Sequence, residues 1–125
     1  HYTRYMFKLP LNWSKLQLLT KENIDILPAE GGVYRLSYQS ADENIYVFYV
    51  GEASSLRTTL NDIVNKNLNN ECVKTFTTNL KCYFKYALLS DASQRNDCVR
   101  TLYSHFAPKC NIKLPEGNII EININ

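Results

Sequence analysis

Two stretches of the chain decide the fold, and they read Leu27-Pro28-Ala29-Glu30-Gly31-Gly32-Val33-Tyr34 and Ile45-Tyr46-Val47-Phe48-Tyr49-Val50-Gly51. In the first, Pro28 restricts the backbone and the two glycines allow a sharp turn, after which a strand runs over residues 33–38. The second is rich in β-branched and aromatic residues, as strands are, and Gly51 ends it. Polar residues 39–44 join the two strands, so the sequence predicts an antiparallel hairpin.

A helix, a third strand and a second helix are predicted after this hairpin. Ser54 or Ser55 can cap a helix that packs by one apolar side. That side consists of Leu56, Leu60, Ile63, Val64 and Leu68. The third strand fits residues 81–89. Asp91 and Gln94 then have the spacing of a reciprocal N-terminal cap, and Pro108 closes the helix that they open.

The two ends of the chain are predicted to add peripheral elements. After Asn12, apolar residues recur at helical spacing, and Thr20 can cap a further short turn. The recurring residues are Trp13, Leu16 and Leu19. Near the other end, Ile120, Ile122 and Ile124 alternate with polar residues, which predicts a strand. We therefore expect an α/β fold of the α+β kind, with a small three-stranded antiparallel sheet flanked by helices and an extra C-terminal strand.

Length, hydropathy and cysteine spacing bound the class of protein. The 125 residues suit one domain. The apolar run at residues 45–50 is far shorter than the ~20 residues of a membrane-spanning helix, and no basic and apolar leader opens the sequence, so we expect a soluble intracellular protein of the cytoplasm or nucleus. The cysteines, Cys72, Cys82, Cys98 and Cys110, have no C-x-x-C or zinc spacing, which predicts reduced thiols.

The net charge of +2 is unevenly distributed along the chain. Residues 57–113 contain nine basic against four acidic residues, whereas the first 56 residues contain five against six. A basic surface suits the phosphates of a nucleic acid, but ordinary solvated lysines and arginines produce the same count. Both interpretations stay open on composition alone.

The order of four short motifs resembles the GIY-YIG nuclease family. The motifs are Leu27-Pro28 with Gly32-Val33-Tyr34, then Tyr49-Val50-Gly51, then Ser55-Leu56-Arg57 at a helix start, and finally Pro108-x-x-Asn111. On this resemblance, residues 1–125 are one GIY-YIG-like domain. Its motif core covers 27–111, with an N-terminal helical extension at 1–26 and a C-terminal strand at 112–125.

The resemblance also implies a reaction. Members of the family cut one phosphodiester bond with a single divalent metal ion. Two tyrosines sit on adjacent strands, one of them acting on the attacking water, while a helix arginine steadies the phosphate and a later glutamate holds the metal. These roles suit the chemistry of phosphodiester cleavage, because carboxylate oxygens bind Mg²⁺ and a phenol can relay a proton if its pKa is lowered from ~10.

Carried over residue by residue, the resemblance gives a set of candidate catalytic residues. They are Tyr34, Tyr49, Arg57 and Asn111, with Gly51 matching the glycine of the second motif. Asn111 has a second interpretation, as a turn residue after Pro108 whose side chain bonds nearby backbone.

The arginine and the glutamate depart from the family pattern. The family arginine is expected eight residues after the glycine, at Thr59 here, so Arg57 is rotated by about 200° from the expected direction. The glutamate is expected twelve residues before the asparagine, at Val99, which cannot bind a metal ion. No glutamate occurs between Cys72 and Glu116.

Two acidic residues bear on this departure. The carboxylate nearest to position 99 is Asp97, the candidate metal ligand, which again points about 200° away on a helix. Glu52 follows Gly51 at a position that is often basic in the family, and its charge is expected to repel phosphate.

Three functions follow from these observations. The first is a degenerate GIY-YIG-like domain that binds duplex or branched DNA, has lost or weakened cleavage and needs no cofactor. Its candidate contacts are Gly51, Lys66, Arg95, Arg100 and Lys109. The second is an active Mg²⁺-dependent endonuclease that uses Asp97 as a substitute ligand. The third is a protein-interaction module on the same fold, whose surface the nine tyrosines would suit.

Overall fold

The predicted hairpin is part of a four-stranded antiparallel sheet in the computed structural model, which describes residues 8–125. In chain order the elements are β1 (Lys8–Leu9), β2 (Gln17–Leu18), α1 (Lys21–Asp25), β3 (Gly32–Gln39), β4 (Ile45–Ala53), α2 (Leu56–Val64), α3 (Glu71–Asn79), β5 (Cys82–Leu88), α4 (Ala92–Phe106) and β6 (Glu121–Ile122). The sheet has the order β2-β5-β3-β4, and β1 pairs with β6 in a separate parallel ladder. The predicted fold class is confirmed, with one strand more in the sheet than expected.

Each face of the sheet carries its own apolar core. Because side chains alternate along a strand, Tyr34 and Leu36 face one side while Val33 and Arg35 face the other. The first side packs against α1, α2 and α3, through residues such as Leu60. The second side packs against α4 and the segments next to β1 and β6. β4 lies at one edge of this three-layer arrangement.

Side-chain caps start the helices where the sequence predicted them. Thr20, Ser55 and Asp91 each accept a hydrogen bond from the backbone N–H three residues later, which satisfies a donor that the helix leaves unpaired. At the end of α4, Ala107 adopts a left-handed conformation with φ 46°, directly before Pro108. The turn chemistry therefore fixes the ends of the helices that flank the sheet.

The prediction of a helix through Trp13, Leu16 and Leu19 is wrong. This segment is extended and forms β2, which pairs with β5, while Trp13 is buried and Leu16 is exposed. The apolar residues reflect packing against the sheet edge rather than a helical stripe. The predicted extension at 1–26 lies partly outside the described residues. Conversely, α3 was not predicted, and the C-terminal strand is limited to Glu121–Ile122.

The expectation of four reduced cysteines is also wrong. Cys72 at the start of α3 is bonded to Cys110 beyond α4, with 5.3 Å between their Cα atoms. Cys82 and Cys98 are free and buried. No helix within residues 8–125 is both long and apolar enough to cross a membrane.

Candidate functional site

Tyr34 and Tyr49 form a pair on one face of the sheet. Tyr34 lies opposite Gly51 and Leu36 lies opposite Tyr49, so the two tyrosines are diagonal neighbours on adjacent strands, with ring centres 6.2 Å apart. A Cβ atom at position 51 would lie 2.5 Å from the hydroxyl oxygen of Tyr34. Gly51 is therefore required by the ring of Tyr34, which crosses directly over it.

Burial controls the ionisation of this tyrosine pair. Tyr34 is 2% exposed, and its burial, followed by the proximity of Tyr49, raises the pKa of its phenol well above 10. Burial also raises the pKa of Tyr49, against the opposing effect of its hydrogen bond with Tyr34. Both phenols are therefore neutral near pH 7, and neither is prepared to act as a phenolate base.

Asn111 reaches the same region from the segment after α4 and bonds to the edge strand. The N–H of Val50 donates to Asn111 Oδ1 at 2.9 Å, and Asn111 Nδ2 donates to the carbonyl of Val50 at 2.9 Å. The neighbouring Cys110 N–H donates to the carbonyl of Phe48 at 2.8 Å. Asn111 thus completes the hydrogen bonding of β4, in line with its second interpretation as a backbone-bonding residue.

These residues surround a cleft of about 410 Å³ at the edge of β4. Its walls include Tyr34, Tyr49, Val50, Gly51, Glu52, Thr59, Leu68, Asn70, Val99, Asn111, Ile112, Lys113 and Pro115. Thr59 and Val99 both lie in these walls. They are the two positions at which the resemblance calls for an arginine and a glutamate, so the cleft is assembled but lacks both side chains.

The cleft does not fit a Mg²⁺ ion. Glu52 is the one carboxylate among its lining residues, and its Oε1 accepts a hydrogen bond from Arg95 Nε at 2.7 Å. The guanidinium offsets part of the charge of this carboxylate, and a single carboxylate is only one of the several oxygen ligands that Mg²⁺ takes. Across residues 8–125, no group of three or more His, Cys, Asp or Glu side chains could hold a metal ion.

Two charged candidates lie outside the cleft. Arg57 turns towards the segment that follows α1, where its Nε donates to the carbonyl of Leu27 at 2.8 Å. Asp97 lies on another side of α4, where its Oδ1 accepts from the backbone N–H of Asn118 at 2.8 Å. Neither lines the cleft. The two-residue offset on each helix explains both placements.

The predicted nucleic-acid contacts do not converge on one surface. Arg95 is buried, and besides Glu52 it donates to the carbonyls of Leu89 and Ser90. Arg100 bonds to Ser104 on its own helix, and Lys66 lines a separate cavity beside Cys82. Lys109 is exposed and is not among the residues that line the cleft.

Sequence reasoning missed Lys113, the one basic residue in the cleft wall. It belongs to no motif, and only its position two residues after Asn111 could have drawn attention to it. Ile112 and Pro115 from the same segment also line the cleft, which gives its mouth an apolar character.

No protein-family model matches this chain. Curated relatives do match it, but only over a small part of their own length. UvrABC system protein C of Rickettsia rickettsii (strain Sheila Smith) is 29% identical over 98 residues, which cover 78% of this chain and 14% of the relative. The same protein of Rickettsia africae (strain ESF-5) matches with the same figures. The chain thus spans about a seventh of the length of these relatives.

Solved structures match nearly the whole of a smaller domain. The GIY-YIG N-terminal endonuclease domain of UvrC from Thermotoga maritima, bound to its catalytic divalent cation magnesium, superposes with a TM-score of 0.57 at 20% identity. The match covers 74% of this chain and 94% of that domain. An asparagine-to-alanine point mutant of the same domain gives a TM-score of 0.55 at 18% identity, with the same coverage.

Proposed function

We propose that this chain, which has the fold of the GIY-YIG nuclease family, binds a nucleic-acid backbone at the tyrosine cleft without cutting it by the family's metal-dependent reaction. The likeness to the UvrC endonuclease domain confirms the family resemblance that the motifs predicted. The observation that carries the proposal is the composition of the cleft wall. Tyr34, Tyr49 and Asn111 are present there, while Thr59 and Val99 occupy the expected arginine and glutamate positions.

Weak or absent cleavage follows from what these two side chains lack. A phosphodiester gains charge as it is cut, and a cation or metal normally offsets that charge. Thr59 supplies a neutral hydroxyl in place of a cation, and Val99 supplies no group that can bind a metal ion. In addition, the pKa of each tyrosine is raised rather than lowered. The cleft can therefore receive a phosphate without assembling the groups that activate water against it.

Retained binding is supported by the charges that remain beside the cleft. Lys113 lies in its wall and the exposed Lys109 is close by in sequence. The carboxylate of Glu52, expected to repel phosphate, is bonded to Arg95 at 2.7 Å. With Glu52 bonded to Arg95, no carboxylate of the cleft wall is left to offset the charge of Lys113, which suits a phosphate backbone.

Binding is tested by measuring the affinity of the chain for duplex and branched DNA against salt concentration. We expect a log-log slope of about −0.9 for each phosphate contacted, and a slope smaller in magnitude by about one unit in Lys113→Ala. Lys15→Ala is the matched control, because Lys15 is exposed just before β2, at the sheet edge opposite β4. Affinity that is absent at low salt, or equally reduced in both variants, would contradict the proposal.

The endonuclease alternative with Asp97 as the metal ligand has less support, because Asp97 bonds to Asn118 and lies outside the cleft.

The interaction-module alternative rests on a specific observation: Ile112 and Leu114, in the segment that forms the cleft mouth, are 82% and 61% exposed. Such residues suit a protein partner. Loss of a stoichiometric protein complex in Ile112→Ser, with no DNA bound by the unmodified chain, would favour that alternative.

A further inference from the structure

A disulfide joins two stretches of chain that both contribute to the cleft wall. Cys72, in the first turn of α3, is bonded to Cys110, in the segment that follows α4. Asn70 caps α3 and lines the cleft, and Asn111 lines it directly after Cys110. The bond therefore holds together two segments that each supply a side chain to the cleft.

Hydrogen bonds meet at the same place. Asn70 Nδ2 donates to the carbonyl of Cys110 at 3.0 Å, and the Cys110 N–H donates to the carbonyl of Phe48 at 2.8 Å. The Asn111 amide adds its two bonds to Val50 of β4. Together with the disulfide, these contacts form the cleft junction, where α3, β4 and the segment after α4 meet. Because a hydrogen bond tolerates only small changes of distance and angle, the junction needs Cys110 to stay in place.

Lys113 depends on the cleft junction for its position in the cleft wall. Its segment is fixed again on α4, where the backbone N–H of Asn118 donates to Asp97 Oδ1 at 2.8 Å. Ile112, the neighbour of Lys113, is 82% exposed and therefore contributes little packing. The end of the segment nearer to Lys113 is the one that the disulfide holds.

The two sulfur atoms of the disulfide differ in their access to a reductant. Cys110 is 1% exposed, whereas Cys72 is only partly buried. A thiolate of a small dithiol therefore attacks Cys72 Sγ, forms a mixed disulfide there and displaces the Cys110 thiolate, which takes up a proton. The second thiolate of the reductant then displaces Cys72, which is protonated in turn. Two electrons pass to the protein, and the dithiol leaves as a disulfide.

We propose that the Cys72–Cys110 bond is a redox-sensitive switch of the tyrosine cleft, which holds the cleft wall in place when oxidised and loosens it when reduced. The pairing of β3 with β4 and β5 does not pass through the cleft junction, so the sheet persists after reduction. The switch acts on the cleft itself. Its effect on ligand affinity rests on the proposed function, and reduction then weakens the binding of a nucleic-acid backbone.

Amide hydrogen exchange tests the switch without any ligand. We expect the Val50 N–H, which donates to Asn111 Oδ1, to exchange roughly tenfold faster or more after reduction by dithiothreitol, whereas the amides of β3 should lose less protection. Cys72→Ser/Cys110→Ser should show the fast exchange of Val50 with and without the reductant. Cys82→Ala is the matched control, because it removes a free thiol and should respond as the unmodified chain does.

Duplex DNA at fixed salt concentration provides the second measurement, and we expect its dissociation constant to rise by roughly tenfold on reduction. Equal exchange of Val50 in the two redox states would overturn the switch, and so would an equal loss of protection in β3, since reduction would then unfold the domain. Unchanged DNA affinity despite faster exchange at Val50 would overturn the coupling to binding. Absence of DNA binding in both states would contradict the proposed function, while the exchange of Val50 still decides the switch.

Discussion

The side-chain amide of Asn111 takes the place of a neighbouring strand at Val50, accepting from its N–H and donating to its carbonyl, both at 2.9 Å. β4 is an edge strand, so these backbone groups would otherwise have no partner from the sheet. The same contact holds the segment that carries Ile112 and Lys113 against the cleft. A residue that the family resemblance marks as catalytic therefore has a structural task in this chain.

Asn111→Ala should lower the free energy of unfolding by about 1–3 kcal/mol, because it leaves two backbone groups of Val50 unpaired. Urea unfolding measures this loss. Asn118→Ala is the control, since the Asn118 contact with Asp97 uses its backbone N–H and survives the substitution. Equal losses in the two variants would show that the amide of Asn111 does not support β4.

Gly51→Ala should destabilise the fold by about 1–3 kcal/mol through overpacking, because the new methyl group would lie 2.5 Å from the hydroxyl oxygen of Tyr34 and 2.6 Å from its Cζ atom. In a Tyr34→Leu background this cost should shrink, as a double-mutant cycle by urea unfolding can measure. A cost that is the same in both backgrounds would separate the glycine from the tyrosine.

Breaking the Cys72–Cys110 disulfide should cost about 3–4 kcal/mol of stability, since it closes a loop with a sequence separation of 38. Unfolding midpoints with and without a reductant measure the effect, and the double variant Cys72→Ser/Cys110→Ser should be insensitive to the reductant. Thiol titration of the unfolded protein should detect two thiols before reduction and four after it. Four thiols before reduction would contradict the disulfide.

The tyrosine pair should also make stability depend on alkaline pH. Burial raises the folded-state pKa of Tyr34 and of Tyr49, so their contribution is complete below the unfolded pKa of ~10 and is lost as pH rises towards the folded values. Tyr34→Phe should weaken this loss, whereas Tyr46→Phe, at an exposed tyrosine, should not. Ultraviolet titration should find that Tyr34 ionises late. Its ionisation near 10 would contradict the burial.

Local chemistry explains which parts of the fold were predictable. The β-branched and aromatic run before Gly51 specified a strand, and Thr20, Ser55 and Asp91 specified helix starts, because these signals act within a few residues. The prediction was wrong for the segment around Trp13. The spacing of its apolar residues fits a helix, but pairing with β5 holds the segment extended.

Helix α3 and the disulfide bond depend on contacts between distant residues, which no local sequence pattern predicts. Helix α3 carries several threonines, poor helix formers, and the hydroxyls of Thr75 and Thr77 bond back to carbonyls one turn earlier. The Cys72–Cys110 bond likewise arises only because the fold brings α3 to the segment after α4.

The candidate site was predictable where a motif had fixed spacing along one strand or helix. Tyr34 and Tyr49 are adjacent as expected, and the helical rotation argument accounts for Arg57 and Asp97 lying outside the cleft. The pairing of Arg95 with Glu52 joins residues that are 43 positions apart, so sequence spacing gave no sign of it. Charge counts along the chain therefore overstated the basic surface.

The missing carboxylate can be restored to test its role. Val99→Glu should destabilise the chain without metal, because it buries a charge at a 7%-exposed position, and Mn²⁺ or Mg²⁺ should recover part of that stability. Val99→Gln is the isosteric control and should not respond to metal. Thermal unfolding with and without the ion measures the difference. Equal responses of the two variants would mean that position 99 does not face a metal-binding space.

Nicking of supercoiled and branched DNA by the unmodified chain, with Mg²⁺ or Mn²⁺ present, tests the central claim most directly. Because Thr59 and Val99 supply neither cation nor metal ligand in the cleft, we predict no nicking above the level of Tyr34→Phe. Metal-dependent nicking by the unmodified chain that disappears in Tyr34→Phe would contradict the account, because the cleft would then cut DNA with the residues it has.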